Sequence, residues 1–143
     1  PDLVPPPTNP RQYSVAFTAE LPQPLWGSSD RVHFNRANAQ LDAAMAADPK
    51  FRATMEEMIP GVSAAVSSVG GRANPPGWMW QHATRDQAAL WSSGVRTPRS
   101  GVLQLTPTSQ HTGGSAFWDI LHPLPGGAGG YSEWARPAGA PQR

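Results

Sequence analysis

The stretch PPGWMWQHATRD at residues 75–86 carries the features from which the fold of the second half of the chain is predicted. A Pro-Pro-Gly run leads into WMWQH, five residues that favour a β-strand, with a Gln and a His side by side at its end. A second strand is predicted at 101–107 (GVLQLTP), and residues 108–123 (TSQHTGGSAFWDILHP) are predicted to be partly helical. The second half of the chain therefore has the order strand, connection, strand, short helix.

The residues upstream of this stretch predict two helices. Ser28 or Ser29 is a candidate N-cap with Asp30 in the first turn of the first helix. Asp48 is the candidate cap of a second helix, DPKFRATMEEMI, with Pro49 at its first position, which ends before the Pro-Gly pair at 60–61. The Phe and Met residues of that helix are expected to pack in the core. A short strand is predicted within residues 13–21, and residues 67–77 are expected to form a loop.

A length of 143 residues favours one domain with a modest core. We expect residues 1–12 to be a Pro-rich linker and residues 13–143 to form a single domain, with a helical lead-in at about 28–60 and a core at about 77–134. The 14 glycines and 17 prolines indicate long irregular connections. The expected fold class is α+β. Because the chain starts at Pro1, we expect it to be a piece of a longer polypeptide.

The composition excludes several kinds of site. The chain has no cysteine, so disulfides and thiolate metal sites are excluded, and a transition metal would need His and carboxylate ligands. No apolar run approaches the roughly 18 residues of a membrane-spanning helix. The net charge of +1 is small for a nucleic-acid binder, although residues 83–143 carry five arginines against three acidic residues.

The four histidines are the candidate reactive residues. His82, His111 and His122 fall near the ends of predicted elements, where their side chains could share a cleft. Such a group can hold a divalent cation for phosphodiester cleavage, with a neutral His taking the proton of the attacking water. The alternative is surface or hydrogen-bonded core histidines, and a structural role is expected for His33. The tryptophans could stack on bases, but core packing is favoured.

Several motifs in order resemble a family of bacterial toxins. PPGWMWQHA, GVLQLTPTSQH, FWDILHP and GGYSEW are similar to the core of toxin nucleases of the HNH/endonuclease VII superfamily that carry a Trp-His-His motif, and HFNRANAQLDAAMAADPKF and MIPGV resemble their helical lead-in. The resemblance covers about residues 29–134. It implies a small ββα-metal core at the C-terminus of a larger Rhs, PAAR-linked (type VI secretion) or contact-dependent effector.

The resemblance also implies roles for individual residues. His82 matches the general base, and Gln81 falls where a metal-binding His is expected. His111 and His122 match metal or phosphate contacts. Arg85, Arg99 and Trp80 are the candidate substrate contacts.

The resemblance implies partners and a place of action as well. The expected cofactor is a divalent metal ion, Mg²⁺ first, with Zn²⁺, Ni²⁺ or Mn²⁺ as alternatives, and the expected substrate is DNA, with RNA open. A cognate immunity protein, plausibly acidic, would block the cleft. The toxin is expected to be a monomer when free, without membrane association, exported within a larger effector and active in the cytoplasm of a competitor bacterium.

The Gln-His pair leaves two structural alternatives open. Neighbouring strand side chains point to opposite faces, so both reach one site only if the strand ends or kinks there. Otherwise His82 itself is the ligand and Gln81 has a supporting role. Since Gln is a poor substitute for imidazole on Zn²⁺ or Ni²⁺, a catalytically impaired relative that acts as a binding domain is the alternative function. A metal-independent nuclease is a further alternative.

Overall fold

The computed structural model describes residues 14–83 and 101–111. These residues form an α+β structure with a small antiparallel sheet and helices. In chain order the elements are β1 (Phe17–Leu21), a 3-10 helix (Gln23–Leu25), α1 (Asp30–Ala47), α2 (Pro49–Met58), α3 (Val62–Val66), β2 (Trp78–His82), β3 (Gly101–Pro107) and α4 (Thr108–His111).

The sheet has three strands in the order β1-β3-β2, and both neighbours of β3 run antiparallel to it. The register pairs Trp80 with Leu105 and His82 with Leu103. Directly paired residues of antiparallel strands share a face, so Trp80 and His82 lie on the face that also carries Leu103 and Leu105. The strand-strand-helix order β2-β3-α4 was predicted, and it is compatible with a small ββα core. A strand was predicted within residues 13–21, but its pairing with β3 was not.

A tight turn fixes the start of β2. The Trp78 backbone N–H donates to the Pro75 carbonyl at 3.1 Å, and Gly77 between them has φ +77°. Pro at the second position and a positive-φ Gly at the third are the preferences of a type II turn. The residues that made this stretch distinctive in the sequence therefore set where the strand begins.

The predicted helix starts are confirmed. The Ser29 hydroxyl accepts a hydrogen bond from the Val32 N–H at the start of α1. The Asp48 carboxylate accepts from the N–H groups of Lys50 and Phe51, each at 3.1 Å, at the start of α2. A single residue, Asp48, thus ends one helix and caps the next. The short α3 and the 3-10 helix were not predicted.

The core lies between one face of the sheet and the helices. Its buried members come from β1, all three longer helices and the two other strands, and they include Phe17, Leu41, Met55, Val66, Trp80 and Leu105. Phe51 and Met55 are buried as predicted, whereas Met58 is exposed. Of the residues that the structure describes, no helix is both long and apolar enough to cross a membrane.

Glu56 links α2 to the start of α3 and makes stability depend on pH. Its carboxylate accepts hydrogen bonds from the N–H groups of Gly61 at 3.0 Å and Ser63 at 2.7 Å. The hydrogen bonds from the Ser63 side chain, the Ser63 N–H and the Gly61 N–H hold the pKa of Glu56 below its ordinary value of 4.5. A lowered folded-state pKa contributes stability above the unfolded pKa, and this is lost as pH falls through the folded value.

We therefore expect Glu56→Gln to lower the free energy of unfolding by about 1 kcal/mol at neutral pH. The deficit relative to the natural chain should shrink as pH falls below 4.5. Urea unfolding across this range measures it, with the exposed neighbour Glu57→Gln as control. A deficit that stays constant with pH would contradict the assigned role of the carboxylate.

Candidate metal centre

Two histidines from distant parts of the chain meet between α1 and the end of β2. Nδ1 of His33 lies 2.9 Å from Nε2 of His82, and the ring centroids are 5.2 Å apart. Both side chains are buried, with 0% and 8% of their surface exposed. The ring of Phe34, 5.6 Å from that of His82, packs beside the pair. The two imidazoles therefore face each other at an enclosed position.

The other nitrogen of His33 is fixed by the backbone. Nε2 of His33 lies 2.7 Å from the carbonyl oxygen of Leu25, at the end of the 3-10 helix. A carbonyl oxygen only accepts, so Nε2 carries the proton and donates it. In the neutral ring Nδ1 then presents a lone pair toward His82. A ring N–H donated to a backbone carbonyl is how proteins orient metal-binding histidines.

Asp30 brings a carboxylate to the same place. It lies in the first turn of α1, one turn before His33, and its Oδ1 is 3.9 Å from Nε2 of His82. One potential ligand atom from each of Asp30, His33 and His82 lies within 4.8 Å of the others. The Asp30 side chain is 60% exposed, so the cluster is buried at its histidines and open at its carboxylate.

This donor set fits a divalent cation. Two nitrogens bound tetrahedrally at about 2.1 Å lie about 3.4 Å apart, so the two imidazole nitrogens, 2.9 Å apart here, have to separate by only about half an ångström. A cation between them requires both lone pairs to face inward, and the Leu25 hydrogen bond already sets that state for His33. Two imidazoles and one carboxylate form a partial ligand set that leaves coordination positions open. The residues present can therefore hold a metal ion.

The sheet separates His82 from Gln81. His82 shares the helix-covered face with Trp80, whereas Gln81 pairs with Gln104 on the other face. Gln81 is 3% exposed and Gln104 fully buried, so that second face is also covered. Of the two alternatives left open by the sequence, the structure favours the one in which only His82 faces the cluster. Gln81 therefore contributes no ligand to it.

Trp80 lies in the core, where it connects β2, the strand that carries His82, to α1. Its indole N–H donates to Oδ1 of the buried Asn38 on α1 at 2.7 Å, and Nδ2 of Asn38 donates to Asn74 at 3.1 Å. The ring makes an edge-on contact with Phe17, with centroids 6.3 Å apart. With 1% of Trp80 exposed, the core packing favoured for the tryptophans is observed, and the described residues leave no ring face open for a base to stack on. The hydrogen bond holds β2 against α1.

The remaining sequence-predicted site residues stay predictions. His111 is the last residue of α4, directly after β3. His122, Arg85 and Arg99 lie outside the described residues. The structure therefore brings His82 together with His33 and Asp30, which the sequence did not indicate as ligands.

The sequence carried only a weak signal for these two residues. Asp30 and His33 are spaced i and i+3, which places them on one face of a helix. That spacing alone is common, and the third member lies 49 residues beyond His33 in sequence. Only the packing of α1 on the sheet brings the three together.

Comparisons with models of protein families, with curated proteins and with solved structures find no match to this chain.

Proposed function

We propose that this chain is a metal-dependent nuclease that hydrolyses phosphodiester bonds of DNA and holds its metal ion on Asp30, His33 and His82. The observation that carries the proposal is the convergence of three potential ligand atoms within 4.8 Å of one another. The resemblance to toxin nucleases supports it independently, because His82 is the residue that the motif singles out.

The donor set favours a borderline transition metal. Imidazole nitrogen suits Zn²⁺ and Ni²⁺, whereas Mn²⁺ and Mg²⁺ prefer oxygen ligands. Two of the three donors here are nitrogens. We therefore place Zn²⁺ or Ni²⁺ ahead of Mn²⁺ and of Mg²⁺, which was placed first from the sequence.

Hydrogen bonds within the chain position the two histidine ligands. The Leu25 carbonyl orients the ring of His33, and the Trp80–Asn38 hydrogen bond fixes the strand that carries His82. Asp30, the exposed member, lies where a substrate phosphate can approach. A bound divalent cation would withdraw charge from the phosphate and stabilise the leaving oxygen.

The assignment of His82 as ligand changes its expected role. Its Nε2 points at His33 within the cluster rather than at open solvent, which favours metal binding over proton abstraction. The general base is then a different residue, and His111 and His122 are the candidates from the resemblance. The partner and place of action proposed with this function rest on the resemblance: an immunity protein, and the cytoplasm of a competitor bacterium reached by way of a larger effector.

The decisive experiment compares the natural chain with Asp30→Asn and His82→Ala. Each is incubated with supercoiled plasmid, single-stranded DNA and total RNA, with Zn²⁺, Ni²⁺, Mn²⁺ or Mg²⁺ and with EDTA. We expect DNA cleavage that requires metal, loss of cleavage in His82→Ala, and at least about a tenfold loss in Asp30→Asn. Because Asp30 is exposed, its replacement by Asn should leave the fold intact, and Glu57→Gln is the matched control on α2.

The other outcomes select the alternatives. Cleavage that persists in excess EDTA would indicate metal-independent chemistry. Cleavage of RNA alone would make the enzyme a ribonuclease. Metal binding without any cleavage of DNA or RNA would identify a catalytically impaired relative.

A further inference from the structure

A cleft opens beside α1, between that helix, the end of β1 and the 3-10 helix, and the metal cluster does not line it. It has a volume of about 480 Å³, within the range of about 300–1,000 Å³ that is usual for ligand sites. Its lining includes an aromatic ring (Trp26), a cation (Arg36), a carboxylate (Glu20) and two amides (Gln23 and Gln40). We propose that this cleft binds one unpaired nucleotide of the nucleic-acid substrate, with its base on Trp26 and its phosphate at Arg36. This inference rests on the proposed function.

Trp26 forms a rigid platform. Its indole N–H donates to the Leu21 carbonyl at 2.9 Å, and part of the ring packs against the hydrophobic core. The rest of its surface remains accessible and lines the cleft. An aromatic ring held in this way is suited to stack on a base, and the contact tolerates any base because every base has a π-face.

Arg36 supplies a free positive charge. Among the described residues no hydrogen bond or ion pair involves its guanidinium, whereas Arg72 is held by Asp42 at 2.7 Å. An exposed guanidinium next to an aromatic platform is the combination that binds the backbone and base of a single strand.

Gln40 holds together the side of the cleft where α1 meets β1. The Gln40 amide oxygen accepts from the Glu20 N–H at 2.9 Å, and its NH₂ group donates to the Glu20 carbonyl. The side chain thereby pairs with the outer edge of β1 as another strand would. A cleft with fixed walls loses little entropy when a ligand enters.

The cleft and the metal cluster share structural elements. The carbonyl of Leu25, the neighbour of Trp26, accepts the hydrogen bond that orients His33. Arg36 lies one turn after His33 on α1, about 4.5 Å along the helix axis. A strand stacked on Trp26 with a phosphate at Arg36 and running toward the start of α1 would therefore extend to the side of the metal cluster. Bases inside a duplex offer no free face to Trp26, so the inferred substrate class is single-stranded or locally unpaired nucleic acid.

The test measures binding of a short fluorescent oligothymidylate in EDTA, where cleavage does not intervene. We expect Arg36→Gln to weaken binding about tenfold and to lower the salt dependence by about 0.7 in the logarithmic slope, as for one lost phosphate contact to a single strand. Trp26→Leu should also weaken binding about tenfold. The control is Arg52→Gln, an exposed arginine on α2 that bonds Ser63 and lies outside the cleft.

Each outcome is decisive. Selective loss in Arg36→Gln and Trp26→Leu, with the control unchanged and a duplex of the same sequence bound more weakly, supports the inference. Equal losses in Arg36→Gln and Arg52→Gln, or equal binding of duplex and single strand, overturn it. Because binding is measured in EDTA, it is separated from cleavage. A chain that binds the oligonucleotide through this cleft but cleaves nucleic acid with none of the metals would refute the proposed function alone. A chain that cleaves with metal but is insensitive to both cleft variants would refute this inference alone.

Discussion

Replacing His33 with alanine is expected to lower the affinity of the chain for Zn²⁺ by at least about 100-fold and to abolish metal-dependent cleavage. Even residues that only orient a metal ligand cost about 10- to 100-fold in affinity when they are removed, and His33 is placed as a ligand itself. Its Nδ1 faces His82 at 2.9 Å while its Nε2 is held by Leu25. Calorimetric titration of the metal-free variant measures the change.

Two further variants test whether the loss of metal affinity is specific to the Asp30–His33–His82 cluster. His111→Ala and His122→Ala test the ligands expected from the resemblance, and the account predicts that neither changes metal affinity as much as His33→Ala does. Circular dichroism of each metal-free variant shows whether the fold is retained. Unchanged Zn²⁺ affinity in a folded His33→Ala protein, together with loss in His111→Ala, would move the metal site to the other histidines.

The second large effect is expected at Trp80, and it concerns stability. Trp80→Phe removes the donor that satisfies Oδ1 of the buried Asn38 and leaves a small void. A buried acceptor without a partner costs about 1–3 kcal/mol, and the lost volume adds to this, so we expect a loss of about 2–4 kcal/mol. Urea unfolding followed by circular dichroism is the measurement, because the substitution alters the tryptophan fluorescence.

A double-mutant cycle isolates the hydrogen bond from the lost volume. In Trp80→Phe combined with Asn38→Leu neither polar partner remains, so the double variant should be more stable than the sum of the two single losses predicts, by about 0.5–3 kcal/mol. Strictly additive losses would show that the indole N–H does not hold β2 against α1. In that case the position of His82 would depend on packing alone.

Local signals in the sequence predicted the elements well. Ser29 and Asp48 cap α1 and α2 as expected, because a side-chain acceptor followed by an amphipathic run is a local property. The Pro76-Gly77 pair fixes the turn before β2 for the same reason. By contrast, the pairing of β1 with β3 joins residues at least 80 positions apart, as Leu21 with Gly101, and no local pattern specifies it.

The candidate site could be predicted only in part. His82 stood out because of its position at the end of a strand, whereas the sequence left open whether Gln81 shares its face, and the register places the two on opposite faces. His33 was expected to be structural, since a single His on a helix gives no sign of what packs against it. Its contact with His82 depends on the position of α1 across the sheet, which is a property of the whole core.

The central claim is that a metal ion binds between His33 and His82, and diffraction tests it most directly. Crystals grown with Zn²⁺ would be measured on both sides of the zinc absorption edge. The account predicts an anomalous peak about 2.0–2.2 Å from Nδ1 of His33, Nε2 of His82 and a carboxylate oxygen of Asp30. A peak at His111 and His122 instead, with His33 and His82 still bonded directly to each other, would contradict it.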